Sequence, residues 1–308
     1  LRSPRWIGLA LAVCCLLAGD RSLGQGLLQS LRDGVRSAGG DIAVGDDEDD
    51  DKQSRKDRGE HCDGRSSWFD DDDDDDVESS FWLGVGKLTF WTMTSPVWLP
   101  RTLVDDTTFD PGHFARYPYR CGLDGYMAPD TESLRQQYPW LEGDRYTWMV
   151  RLRGEYGGDF DDLSRAGGQL LFDTASRWGV DTEANYLREQ LPADRHDQLW
   201  LGDANVVYRF AQSTKLQMRA GLGMNRLSDE FGSEFGFNFT YSADLFPAAP
   251  WIMSAEIDWG KLGHVGLFHG RTTVGVHFHR LEVYTGYDYL DVGDTQINTL
   301  VSGLRVWY

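Results

Sequence analysis

From Arg145 to the C-terminus, apolar and polar side chains alternate with a period of two, and no other feature restricts the fold as strongly. Tyr146, Trp148, Val150, Leu152 and Tyr156 share one face of an extended segment, with Thr147, Arg151, Arg153 and Glu155 on the other. The pattern returns near residues 168–176, 179–189, 198–211, 214–226, 233–246, 251–260, 265–279, 281–290 and 297–308. Trp200, Ala204, Val206, Tyr208 and Phe210 oppose Asp203, Asn205 and Arg209; Phe235, Phe237, Phe239 and Tyr241 oppose Glu234, Asn238 and Ser242. A charged lining beside an apolar skin describes the wall of a barrel that meets lipid, not the core of a sandwich.

The connections carry an independent signal. Those near Ser176–Gly179, Gln212–Thr214, Pro247–Pro250 and Arg280 are tight, whereas those near 157–167, 190–197, 227–232 and 291–296 are longer and polar. Alternating short turns and long loops around an even number of strands puts both ends of a barrel on one side of a membrane. The predicted fold over residues 145–308 is therefore all-β, an antiparallel up-and-down transmembrane β-barrel of about ten strands. Eight result if the stretch around LGHVGLFHG, between Gly260 and Arg271, is loop and not a bulged strand.

The rest of the chain differs in composition. Residues 1–24 read as a signal peptide, with Arg2 and Arg5 ahead of the apolar run Trp6–Ala18 and small residues at Ser22-Leu23-Gly24. Residues 25–80 are rich in Asp, Gly, Ser and basic residues and hold two acidic runs, DDEDDD from Asp46 and Asp70–Asp76; such a stretch is expected to stay disordered. The formal charge of -19, with no concentrated basic footprint, argues against nucleic-acid binding. Residues 81–144 are dense in aromatics, interrupted by Pro and Gly, and too few for a core of their own, so they are expected to cap or plug the barrel. Cys62 and Cys121 are the two cysteines beyond the leader, and in an oxidising compartment one disulfide between them is the simplest expectation, with two free thiols the alternative.

In GLRVWY at the C-terminus, Leu304, Val306 and Tyr308 fall on one face of the last strand. A strand with an apolar face ending on a terminal aromatic resembles the closing strand of bacterial outer-membrane β-barrel proteins. The resemblance implies an outer-membrane location, a lipid surround and recognition by the barrel-assembly machinery; it implies no activity, and oligomeric state stays open.

Arg151, Arg153, Glu155, Asp203, Arg209, Arg219, Asp244, Glu256, Asp258, Glu282 and Arg305 all fall on the predicted inner face, where charges have to be paired. An interior ion-pair network that fills the lumen is the leading expectation, and a narrow conduit the sharper one. His277, His279 and Glu282, with His264 and His269 nearby, are the candidates for acid–base chemistry. Their place near a tight turn, the absence of a recognisable nucleophile and the two-ligand limit of a His-x-His pair argue against catalysis and a metal. The function expected is a non-enzymatic outer-membrane barrel, structural or narrowly porin-like, without a cofactor. The alternatives are a barrel hydrolase using the His/Glu cluster and a secreted soluble all-β binding protein.

Overall fold

The computed structural model describes residues 26–37, 106, 111–128, 145–159, 162–192 and 195–308. Within them the alternating segments become ten strands: β3 (Trp148–Gly158), β4 (Leu163–Thr174), β5 (Trp178–Leu191), β6 (Arg195–Gln212), β7 (Leu216–Asp229), β8 (Gly232–Ala248), β9 (Trp251–Leu262), β10 (Val265–Phe278), β11 (Leu281–Val292) and β12 (Thr295–Trp307). Each pairs antiparallel with its sequence neighbours, and β12 pairs with β3 to close the barrel. Closure removes the exposed edges that an open sheet would present. The eight-strand alternative falls because LGHVGLFHG contains only a two-residue turn, Gly263-His264, in which Gly263 supplies a φ of +58°.

The side chains follow the pleat. Trp200, Leu222 and Phe237 are each 54 to 55% exposed on the outside, whereas Arg209, Arg219 and Asp244 on the inner face are 0 to 2% exposed. Phe210 departs from the expected pattern. The register shifts between Tyr208 and Ala211, and the shift tucks Phe210 under Tyr241, their rings 5.4 Å apart.

The loops expected to be long are not. β4 starts at Leu163, β5 runs to Leu191, β6 starts at Arg195, and β7 and β8 meet at a turn of two residues. Backbone pairing continues through these polar stretches because a ladder needs no apolar side chain, so the hydropathy signal stops before the strand does.

The barrel has two mouths. The proximal mouth carries the start of β3, the end of β12 and the turns after β4, β6, β8 and β10; the distal mouth carries the other five turns. At the proximal mouth, β1 (His113–Phe114) pairs with β2 (Met127–Ala128), and Phe114 bridges to Tyr146. Phe114, Leu123, Tyr126 and Met127 pack on Met149, Leu171, Val207, Phe246, Ile252 and Trp307. Gly125 lies against the turn after β6, where a Cβ would meet the Thr214 carbonyl. Asp106 fastens this stopper by accepting from the Arg177 guanidinium at 2.7 Å and 2.8 Å and from the Gln212 backbone N–H at 2.9 Å.

The distal mouth holds a helix, α1 (Leu27–Ser37). It corrects the expectation of disorder across residues 25–80: Leu28, Leu31 and Val35 form an apolar stripe that the barrel buries completely, and tertiary burial, not propensity, carries an element this short. The remainder of that span, the expected signal peptide and Cys62 lie outside the described residues.

Candidate functional site

Between the two stoppers the lumen is a layer of ion pairs. All eleven charged residues assigned to the inner face point inward: Arg151, Arg153, Glu155, Arg209, Arg219, Asp244, Glu256, Asp258, Glu282 and Arg305 are buried, and Asp203 lines an internal void. Alternation on ten neighbouring strands brings them into one cylinder, where each charge is desolvated and needs a partner.

Near the proximal mouth, Asp244 accepts from Arg151 and Arg219, each at 2.7 Å, and from the Ser254 hydroxyl at 2.7 Å. Arg219 also donates to Asp173 at 2.9 Å, which Arg209 shares. Arg209 lies 4.5 Å from the Phe114 ring, so the stopper covers its open side with an aromatic face. Glu282 accepts from Arg305 Nη1 at 2.7 Å and from Trp307 Nε1 at 3.0 Å.

At mid-height, Arg271 is the hub. It donates to both Glu183 oxygens at 2.6 Å and 2.7 Å and to Asp288 at 2.7 Å, and lies 3.2 Å from Glu155 and 3.4 Å from Glu256. Arg153 and Arg165 pair with Glu183 from the other side. His269 sits between two carboxylates, Nδ1 at 3.0 Å from Asp258 and Nε2 at 2.9 Å from Asp288. Arg165, Asp173, Asp181, Glu183, Arg271 and Asp288 are inner-face residues that the sequence pattern does not single out, and His269, a candidate for acid–base chemistry, joins them in this network. Asp181, Glu183 and Asp288 were legible by period two. Arg165 lies in the stretch 157–167 that reads as loop, and His269 and Arg271 fall within and at the end of the ambiguous join between Gly260 and Arg271.

Of the histidine candidates, His277 and His279 share the Tyr117 ring, at 6.2 Å and 6.1 Å, and His277 faces Glu282 in the strand register. His277 is inward on β10, but His279 stands in the turn after it at φ 57° and is exposed. His277 packs against Tyr117 and Tyr119, with ring centroids at 6.2 Å and 6.3 Å, and its Nε2 has no hydrogen-bond partner. Glu282 faces it in the strand register, yet its oxygens serve Arg305 and Trp307. His264 lies in the distal turn, at the other end of the molecule from His277. Among the described residues, no group of three His, Cys, Asp or Glu side chains could hold a metal ion.

A void of about 30 Å³ inside the barrel is lined by Arg165, Asp203, Asp258, His269 and Asp288, with Leu201 and Leu267 on its distal side. A space of that size holds a water or two. Leu304, Val306 and Tyr308 project outward, each 41 to 55% exposed, on the strand that closes the barrel.

No family model matches the chain, and no curated protein matches it in sequence. The solved structures it resembles are bacterial outer-membrane β-barrel proteins. A NanC porin aligns at 10% identity with a TM-score of 0.34, over 51% of this chain and 98% of the porin. The outer membrane protein Ail of Yersinia pestis aligns at 11% identity with a TM-score of 0.32, over 52% of this chain and 99% of Ail. The N-terminal β-barrel domain of Pseudomonas aeruginosa OprF aligns at 10% identity with a TM-score of 0.28, over 52% of this chain and 97% of that domain.

Proposed function

We propose that the chain is a structural protein of the bacterial outer membrane: a barrel that spans lipid, conducts no solute and performs no catalysis. The observation that carries this reading is the lumen, filled by paired charges and closed at both mouths by apolar packing. Its exterior supports the membrane assignment. Leu152, Val206, Leu222, Val283 and Leu304 are about half exposed around the wall, a surface that water would penalise and acyl chains would not. Along β3, Trp148 and Tyr156 are exposed eight residues apart, about 26 Å of strand at 3.3 Å per residue and about 20 Å of height at the usual barrel tilt, so aromatics stand toward both ends of the apolar band. Leu304, Val306 and Tyr308, on the outer face of the closing strand, suit recognition by the barrel-assembly machinery.

Planar-bilayer recording of the refolded protein tests the reading. Heat-modifiable migration on gels, showing a folded barrel, together with electrical silence is expected. A discrete, reproducible conductance overturns it, as does recovery of the protein from the soluble periplasm.

A further inference from the structure

Every arginine of the inner layer is already engaged with a carboxylate, and two carboxylates are left over. Arg151 and Arg219 serve Asp244, Arg209 serves Asp173, Arg305 serves Glu282, and Arg153, Arg165 and Arg271 share the acids at mid-height. Asp181 and Asp203 pair with no basic side chain among the described residues. The Asp181 carboxylate accepts only from the Gln169 amide, at 3.0 Å, and its other oxygen has no partner; that of Asp203 accepts only from the Asn205 amide, at 2.6 Å. Asp258 has a single cationic partner, His269, which it shares with Asp288. Counting that imidazole as charged still leaves Asp181 and Asp203 unmatched, and a buried charge without a counter-charge is strongly disfavoured.

Asp203 lines the void of about 30 Å³, and so do Asn225, Asp258 and Thr299, which come to it from β7, β9 and β12. Thr299 is 1% exposed and its hydroxyl oxygen has no hydrogen-bond partner, an uncommon state for a buried polar group. Asn225 spends its amide N–H groups on the Phe237 carbonyl and on Asn238, both at 3.3 Å, which leaves its side-chain oxygen without a bond. The nitrogens that reach the void are committed elsewhere: both of His269 to Asp258 and Asp288, and the Arg165 guanidinium to Asn185, Glu183 and Asp288. What remains to face the space is oxygen.

We infer that this void is a binding site for one divalent cation of calcium's class, held by the Asp203 and Asp258 carboxylates together with the Asn225 amide oxygen and the Thr299 hydroxyl. Donors that are all oxygen select a hard cation over a softer transition metal. Two carboxylates are enough, because the neutral oxygens complete the set. The volume sets a second preference: it admits an ion and a water, and magnesium gives up its water shell reluctantly, so calcium is favoured over magnesium. One divalent ion also offsets the charges that Asp181 and Asp203 leave unmatched.

Metal retained by the full chain tests the site. The protein is refolded into an uncharged detergent with calcium and magnesium at equal concentration, which loads the interior without having to open either mouth. A chelating column then strips exposed acidic groups, and the metal content is measured by atomic emission. The wild type should keep one calcium per chain beyond what Asp203→Asn keeps, with magnesium lower on the order of ten-fold. The acidic runs from Asp46 and at Asp70–Asp76 are the same in both chains and cancel in the difference.

Unfolding from the same detergent gives a second readout. Calcium should raise the wild-type midpoint at constant ionic strength and leave that of Asp203→Asn unmoved. In chelator alone, Asp203→Asn should be no less stable than the wild type, because it removes a charge that has no counter-charge. Thr299→Val keeps the shape and drops the hydroxyl, so it should fold, as heat-modifiable migration would show, and bind calcium on the order of ten-fold more weakly. Equal calcium retention by the wild type and Asp203→Asn would overturn the site and leave the void to water, as would a folded Thr299→Val chain that binds as tightly as the wild type. Equal retention of magnesium would overturn the choice of a dehydrated ion. A loss of stability in Asp203→Asn without calcium would mean that the protein itself matches this carboxylate, and would overturn the charge argument.

Discussion

His277 and Glu282 stand opposite each other across the β10–β11 pair, and the carboxylate turns away from the imidazole to Arg305 and Trp307. The arrangement assigns the two residues different weights. Glu282 is the anion of a fully buried ion pair, and its loss leaves the Arg305 guanidinium charged and without its carboxylate; His277 is an aromatic contact of the proximal stopper. Glu282→Ala should therefore cost about 3–5 kcal/mol in guanidinium unfolding from lipid vesicles. His277→Ala should cost about 1–2 kcal/mol, the loss of packing alone. Equal costs, or a larger one for the histidine, would return the pair to consideration as a chemical unit.

The exterior makes a depth-dependent prediction. Leu222 lies at the middle of β7, exposed between Val206 and Phe239 on the neighbouring strands, whereas Phe278 is the last residue of β10 at the proximal rim. An arginine at the bilayer midplane costs about 2–4 kcal/mol and near the interface about 0–1 kcal/mol. Leu222→Arg should destabilise the lipid-embedded protein by the larger amount and Phe278→Arg by the smaller, as read by unfolding from vesicles. A barrel surrounded by water would show no such difference, so equal effects would remove the lipid.

Much of this wall is legible in the sequence, and the failures have physical causes. Period two places Arg151, Asp244 and Arg305 inside and Trp148 and Phe237 outside, because a strand that divides lipid from buried charge leaves no ambiguity of face. It misjudges where strands stop, since rim residues such as Arg195, Asp197 and Asp229 continue the backbone ladder with polar side chains and look like loop. Pairings across the lumen, such as Arg271 with Glu183, belong to closure: the residues are far apart in sequence and on strands that are not neighbours. The helix was readable in principle. Leu28, Leu31 and Val35 with Arg32 and Arg36 keep a helical period, but inside a span dominated by acidic runs and glycine the average composition masked it.

The proximal stopper carries a titratable latch outside the strands. Tyr119 donates its hydroxyl to the Trp251 carbonyl, and burial, followed by the negative charges of Glu282 and Asp124, pushes its pKa up to about 12. Its neutral form is thus favoured when docked, relative to a free tyrosine near pH 10. A raised pKa gives stability that is present in full below the free value and lost as pH rises through the docked one. Docking of the stopper should therefore weaken between about pH 10 and pH 12. Tyrosinate absorbance followed against proteolysis of the His113–Ala128 segment would show it, and Tyr119→Phe should remove that component. A pH response unchanged in Tyr119→Phe would assign it elsewhere.

The hub of the network makes the sharpest test of a lumen held by charge. Arg271 serves Glu183 with two donors and Asp288 with a third, while Glu183 also receives Arg153 and Arg165. Removing the guanidinium leaves carboxylates crowded in a dry space with too few cations; neutralising Glu183 leaves three arginines short of an anion. Each single change, Arg271→Met or Glu183→Gln, should cost about 3–5 kcal/mol, because each strands opposite charge in the interior. Making both together removes one charge of each sign, so the double variant should be less destabilised than the sum by about 1–3 kcal/mol. That non-additivity, measured as a double-mutant cycle by unfolding from vesicles, is what a coupled interior requires. Strict additivity would mean that water reaches these groups and screens them from one another, and a wetted interior would take with it the argument that the barrel is closed to solutes.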